Sequence, residues 1–213
     1  MLSPGSRLGK YHIERPLGRG GMGAVFLATD TVLRRPVAIK VLVSEGDDTD
    51  RSPARLLREA RSASALNHPN IVAVYEVGEE NEFAFISMEY VEGQPLSDLV
   101  ERGPLTIEQS IRDATEAADA LAHAHDRGIV HSDLKAANAI VSSSGRVKLV
   151  DFGIANRLPK AISDATVTSS ATAERTPAGT PYAMAPEQVR GAHVDVRTDV
   201  WALGVMLYEL LAG

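Results

Sequence analysis

The sequence predicts an α+β protein in two parts, a small β-rich part carrying one inserted helix and then a mainly helical part. Three observations predict it. Strand-like runs separated by Gly-rich and Asp/Arg-rich turns fill the first ninety or so positions. The Glu92-Gly93 break ends that pattern, and apolar residues then recur at intervals of three and four. The first three strands are expected at residues 11–17, 24–29 and 36–42, and two more at 71–77 and 83–88. Between these groups Ser52 is a helix N-cap with Pro53 in the first turn, and the helix runs to about Leu66. Past the break, Thr106 with Gln109 forms a capping box. Ile107, Ile111, Ala114, Ala118 and Leu121 then mark the apolar face of a helix that ends near Arg127-Gly128. Short strands at 139–141 and 146–150 flank a turn at 142–145. The boundary falls near residues 91–94, dividing the chain into 1–91 and 92–213.

Composition narrows the function classes. The 213 residues are 44% hydrophobic, with 22 Lys and Arg against 28 Asp and Glu, a net charge of −6. That balance argues against a nucleic-acid partner, which normally calls for a basic excess. There is no cysteine, so disulfides, thiolate metal sites and thiol nucleophiles are excluded, and a reducing compartment is compatible. Residues 1–10 lack the apolar core of a secretory signal. The most apolar stretch, 200–213, contains Glu209 and is shorter than the roughly 20 apolar residues a bilayer requires. It reads as a helix buried on every side, and no membrane contact is expected from this segment. Residues 161–178 hold seven Ser and Thr and almost no large apolar side chains, so they are expected to be mobile; a solvated surface loop is the plain reading.

Four groups of residues carry chemistry. Gly18-Arg19-Gly20-Gly21-Met22-Gly23 contains GxGxxG, which two different phosphate-binding structures use. In a dinucleotide fold the glycines open a helix. Here Ala24-Val25-Phe26-Leu27 continues as a strand, which favours a β-hairpin folding its backbone N–H groups over phosphates. Val37-Ala38-Ile39-Lys40 sets a lysine in an apolar strand. Unless it is an edge charge, it needs an anionic partner there, and Glu59 in the inserted helix is the candidate. His131-Ser132-Asp133-Leu134-Lys135-Ala136-Ala137-Asn138 places an Asp, a Lys and an Asn on one loop, and Asp151-Phe152-Gly153 follows the next strand. Carboxylates and an amide at adjacent strand ends form a hard oxygen cluster suited to Mg²⁺. His123, His125 and His131 do not suit zinc, because positions i and i+2 of a helix point apart and no HExxH occurs.

In order, GxGGxGxV, VAIK, a helix Glu, HxDLKxxN, DFG and APE resemble the protein-kinase signature set. The chain resembles the bacterial, eukaryotic-like serine/threonine protein kinases from about Leu8 onward. The likeness implies a two-lobed fold, with residues 1–91 as the small lobe and hinge and 92–213 as part of the large lobe. It also implies an enzyme that uses ATP with Mg²⁺, or Mn²⁺ in its place, to phosphorylate Ser and Thr hydroxyls of protein substrates in the cytoplasm. Position by position, Lys40 would contact the α- and β-phosphates and pair with Glu59. Asp133 would orient the substrate hydroxyl, Lys135 would neutralise the transferring group, and Asn138 and Asp151 would hold the metal. Leu17, Gly18, Gly20, Gly21, Gly23, Val25, Ala38, Met88, Glu89, Val91 and Ile140 would form the nucleotide site, with Met88 as gatekeeper and Glu89-Tyr90-Val91 as hinge. His131, Phe152, Val74 and Ala63 resemble the apolar column linking the lobes, and plain core packing is their simpler reading. Asp-Leu-Lys at 133–135 and Thr180 resemble the serine/threonine pattern, and the APE segment separates the chain from small-molecule kinases.

Two departures qualify the likeness. Ser132 stands where the family usually has an arginine that receives an activation-loop phosphate, so weaker dependence on phosphorylation is expected. The loop at 163–176 is still a candidate for autophosphorylation, with Arg58 and Arg61 as alternative docking charges. The family also continues past the apolar helix with several more helices, one supplying an arginine that pairs with Glu187. The catalytic domain is thus expected to be C-terminally incomplete, with lower stability than an extended chain. The rival reading is a non-catalytic nucleotide-binding or regulatory kinase-like fragment.

Overall fold

The computed structural model describes residues 2–20, 23–42, 63–80, 83–152 and 183–213. Six strands form one antiparallel sheet: β1 (Arg7–Leu8), β2 (Tyr11–Gly20), β3 (Gly23–Asp30), β4 (Arg35–Leu42), β5 (Val74–Glu80) and β6 (Phe83–Glu89). Their spatial order is β1-β2-β3-β4-β6-β5. Strict alternation along β4 sorts its side chains onto two faces. Val37, Ile39 and Val41 pack with Tyr11, Phe26 and Phe85 on one face. Ala38 and Leu42 pack with Ile86 and Met88 on the other. Lys40 shares the parity of Ala38 and Leu42, so the strand aims it at that second face.

Strands β2 and β3 pair antiparallel, with register shifts between Ile13 and Arg15 and between Pro16 and Gly18, as far as Gly20 opposite Gly23, and β2 therefore extends past the expected end at Leu17. Gly23 is required here. It has φ 134°, and a Cβ on it would lie 1.9 Å from the Val41 carbonyl oxygen of the neighbouring strand.

The fifth strand corrects the sequence expectation of 71–77, since it begins only at Val74. Residues 70–72 are drawn instead to the second part of the chain. Leu149 N–H donates to the Asn70 carbonyl at 2.8 Å, Val72 N–H donates to the Leu149 carbonyl at 3.0 Å, and Ile71 bridges Leu149 in parallel. The buried Asn70 amide fixes this attachment by donating to the Val147 carbonyl at 2.7 Å and to Glu116 Oε2 at 3.0 Å.

Residues 90–92 lead from β6 to the second part. A small sheet, β7 (Gly93–Pro95), β8 (Ala139–Ser142) and β9 (Val147–Leu149), lies there with α1 (Leu96–Val100) and α2 (Ile107–His125). The α2 cap is as expected: Thr106 Oγ1 accepts from Gln109 N–H at 3.2 Å, and Gln109 Oε1 accepts from Thr106 N–H. Its buried face agrees with the expectation at Ala114 and Leu121 but not at the isoleucines. Ile107 and Ile111 are exposed, while Asp113, Ala114, Ala117, Ala120, Leu121 and Ala124 are buried. The alanines let the neighbouring helix approach closely, and that selected the stripe over the larger isoleucines.

Two further helices follow, α3 (Pro186–Val189) and α4 (Val196–Ala212). Helix α4 packs on α2 and α1 through Ala202, Met206 and Leu210, with Leu105 N–H donating to the Leu210 carbonyl at 2.8 Å. It is not buried on every side as its composition suggests. Its described neighbours lie along one face, and Val200, Trp201, Tyr208 and Leu211 are exposed. Among the described residues no helix is long and apolar enough to cross a membrane.

Candidate active site

The site lies where β4, the loop after α2 and the end of β9 meet. Lys40 is 5% exposed and its ammonium lies 2.8 Å from Asp151 Oδ2. The buried charge therefore has an anionic partner, and among the described residues that partner is Asp151. Glu59 lies outside the described residues, as do Gly21, Gly153, Thr180, Arg58, Arg61, most of the inserted helix and the segment at 161–178.

The loop from His131 to Asn138 is organised around Asp133. Lys135 Nζ reaches Asp133 Oδ2 at 3.1 Å and Oδ1 at 3.3 Å. Asn138 Nδ2 donates to the Asp133 carbonyl at 2.7 Å and to Oδ2 at 3.2 Å. With its nitrogen committed there, the amide oxygen of Asn138 is the atom left to coordinate a cation. Val150 N–H donates to the Asn138 carbonyl at 3.0 Å, which fixes Asp151 beside the loop. Ser132 and Asp151 both have left-handed backbone, φ 62° and 64°. Such strain persists only where surrounding contacts enforce it, and it clusters at functional sites.

The nucleotide-site residues divide. Val25, Ala38, Met88 and Val91 belong to one apolar cluster above the loop. Gly18, Gly20 and Gly23 line the β2–β3 hairpin, and Leu17 is partly exposed on β2. Ile140 is half-buried on β8, outside that cluster. Glu89 is fixed in place by Lys148 at 2.9 Å and by its own N–H, which donates to the Ala73 carbonyl at 2.8 Å. Ala63, Val74, Met88 and Phe152 line one cleft next to Asp151, and the Phe152 and His131 rings lie 4.6 Å apart.

Two residues that support the loop escaped the sequence reading. Asp199 of α4 is fully buried. Its Oδ2 accepts from His131 N–H at 2.8 Å and lies 2.7 Å from His125 Nε2, while Oδ1 accepts from Ser132 N–H at 2.8 Å. A carboxylate at the opening of an otherwise apolar helix was the available signal. Gln188 of α3 donates from Nε2 to the Ser132 carbonyl at 2.7 Å. Glu187, for which an arginine from later helices was the expected partner, accepts from Thr198 Oγ1 at 2.6 Å, and that bond holds its carboxyl below the ordinary value.

A strained loop bearing acid, lysine and amide thus meets a buried strand lysine whose ammonium pairs with Asp151. Among solved structures the kinase domain of Mycobacterium tuberculosis PknI is similar, with a TM-score of 0.77 at 30% identity, covering 99% of this chain and 76% of that one. The protein kinase domain family matches residues 11–213, and the chain belongs to that family. Among curated relatives, the serine/threonine-protein kinase PrkC of Bacillus subtilis is 41% identical over 206 residues, 96% of this chain and 31% of that protein. The serine/threonine-protein kinase PknB of Mycobacterium leprae is 44% identical over 221 aligned positions, 100% of this chain and 34% of that protein. The chain thus spans about a third of the length of the curated relatives it matches.

Proposed function

We propose that the chain transfers a phosphoryl group from ATP to Ser and Thr hydroxyls of protein substrates in the cytoplasm, with residues 1–91 as small lobe and hinge and 92–213 as part of the large lobe. The observation that carries this is the Asp133 cluster, in which the Lys135 ammonium and the Asn138 amide each lie within 3.3 Å of the Asp133 carboxylate, one peptide bond from an enforced left-handed turn.

The residues present fit a Mg-nucleotide. Asn138 and Asp151 are hard oxygen donors brought together by the Val150 N–H bond, and the Gly23 backbone leaves no space for a side chain against β4. When bound, a divalent ion supplies charge neutralisation on the phosphates, and Mg²⁺ or Mn²⁺ suits this donor set. Lys40 presents its ammonium to the α- and β-phosphates and exchanges between Asp151 and Glu59. Backbone N–H groups of the 18–23 hairpin screen the phosphates, and Leu17, Val25, Ala38, Met88 and Ile140 enclose the base against the Glu89 and Val91 main chain. Asp133 accepts the hydrogen bond of the incoming hydroxyl and orients it. Lys135 offsets the charge that accumulates during transfer. Mass spectrometry of a generic protein substrate incubated with the chain, ATP and Mg²⁺ tests the reading. Phosphoserine and phosphothreonine are expected, and phosphotyrosine alone, or no product, contradicts it.

A further inference from the structure

The peptide unit that leads into Asp133 is gripped from several sides. Ser132 has φ 62°, a conformation disfavoured for any residue with a Cβ. Its N–H donates to Asp199 Oδ1 at 2.8 Å and its carbonyl accepts from Gln188 Nε2 at 2.7 Å. Across the same peptide bond Asp133 N–H reaches His131 Nδ1 at 3.3 Å. The Gln188 amide has no freedom to turn over, because its Oε1 accepts from Ala185 N–H at 2.9 Å, which leaves Nε2 facing the Ser132 carbonyl.

Helix α3 is in turn fastened. Thr198 Oγ1 donates to Glu187 Oε1, and Ala192 N–H donates to the Glu187 carbonyl at 2.8 Å. Adjacent residues of α4, Thr198 and Asp199, therefore hold α3 and the loop respectively, and Gln188 closes the ring between them. The Ser132 side chain adds nothing to this hold, since among the described residues its buried Oγ finds no hydrogen-bond partner.

We propose that Gln188 is a positioning residue for Asp133: by donating to the Ser132 carbonyl it keeps the 132–133 peptide from relaxing out of its left-handed setting, and so fixes the aim of the carboxylate. This rests on the proposed role of Asp133 as the group that orients the substrate hydroxyl. Among the described residues the Gln188 amide bonds to the Ser132 carbonyl and to Ala185 N–H, not to Lys40 or the nucleotide-site residues, so its loss lowers kcat and spares the KM for ATP.

The test compares wild type, Q188E, Q188M and Asp133→Asn in steady-state transfer and thermal melting. Glutamate keeps an acceptor for Ala185 N–H but sets an oxygen against the Ser132 carbonyl, whereas methionine removes both bonds. Positioning predicts that both variants lose about tenfold or more in kcat, the scale of one hydrogen bond lost, with the KM for ATP within about twofold. A role confined to capping α3 predicts wild-type kcat for Q188E and a loss only for Q188M, which overturns the proposal. Melting temperatures that collapse in both variants in step with kcat assign Gln188 to stability alone and overturn it too. Wild-type kcat in Q188E beside an inactive Asp133→Asn defeats this inference and leaves the proposed function standing. Equal transfer by wild type and Asp133→Asn defeats both.

Discussion

Replacing Asp199 with asparagine puts the anchoring of the catalytic loop to a quantitative test. The carboxylate is fully buried and receives two backbone N–H groups at 2.8 Å with His125 Nε2 at 2.7 Å. Asparagine has the same shape but only one acceptor oxygen. If that oxygen stays with Ser132 N–H, the amide nitrogen faces His131 N–H, donor against donor. A hydrogen bond to a charged group contributes about 1.5–3 kcal/mol, and a buried donor left unmatched costs about 1–3 kcal/mol more. Together these give a loss of about 2.5–6 kcal/mol. For a chain of this size each kcal/mol moves the melting temperature by roughly 2–4 °C, so a fall of about 5–24 °C is expected by circular dichroism. Transfer activity measured well below the melting temperature should also fall, because His131 and Ser132 lead directly into Asp133. A change under about 2 °C with unchanged activity refutes the claim that this carboxylate holds the loop.

Other outcomes follow from the same contacts. Gly23→Ala places a Cβ into the Val41 carbonyl oxygen at φ 134°, so a loss near 3 kcal/mol and a melting temperature lower by roughly 6–12 °C are expected; wild-type melting would show that β3 and β4 are less closely apposed. Burial raises the Asp113 carboxyl above its ordinary value, with Arg112 at 3.3 Å opposing that shift only in part. The folded state then favours the protonated form. The resulting stabilisation is complete below the unfolded carboxylate value and is lost as pH rises past it, so Asp113→Asn should gain in relative melting temperature from pH 3 to pH 7. A difference that stays flat with pH contradicts this. Asp195 has the opposite sign: Arg197, through its side chain and then its backbone N–H, lowers it to about 2. Asp195 is the N-cap of α4; its contribution is present above the unfolded value of 3.8 and fades as pH falls toward about 2, so Asp195→Ala should flatten the acid limb of wild-type melting, and an unchanged limb would refute this role.

Much of this molecule was legible because it is local. The apolar run Val37-Ala38-Ile39 marked the strand that carries Lys40, and the strand-like run after Gly23 identified the hairpin. Thr106 and Gln109 marked the start of α2. What the sequence hid depends on distant partners. The late start of β5 follows from Asn70 bonding to Glu116 and Val147, 46 and 77 residues away. The α2 face was misread because the larger isoleucines drew attention from the alanine stripe that actually packs. Asp199 and Gln188 bond to the Ser132 backbone across 67 and 56 residues, and hydrogen bonds to main chain leave no pattern in side-chain spacing. Lys40 announced its need for an anion, but only the fold could put Asp151 within 2.8 Å.

The central claim is that Asp133 turns a nucleotide-binding cleft into a phosphotransferase. Binding of ATP with Mg²⁺ and transfer of its terminal phosphate to a protein substrate should be measured side by side for wild type and Asp133→Asn. The account predicts equal nucleotide binding and a transfer rate reduced at least about 100-fold in the variant, the scale of losing a positioned polar group at the reacting hydroxyl. Equal transfer rates in the two proteins would contradict it.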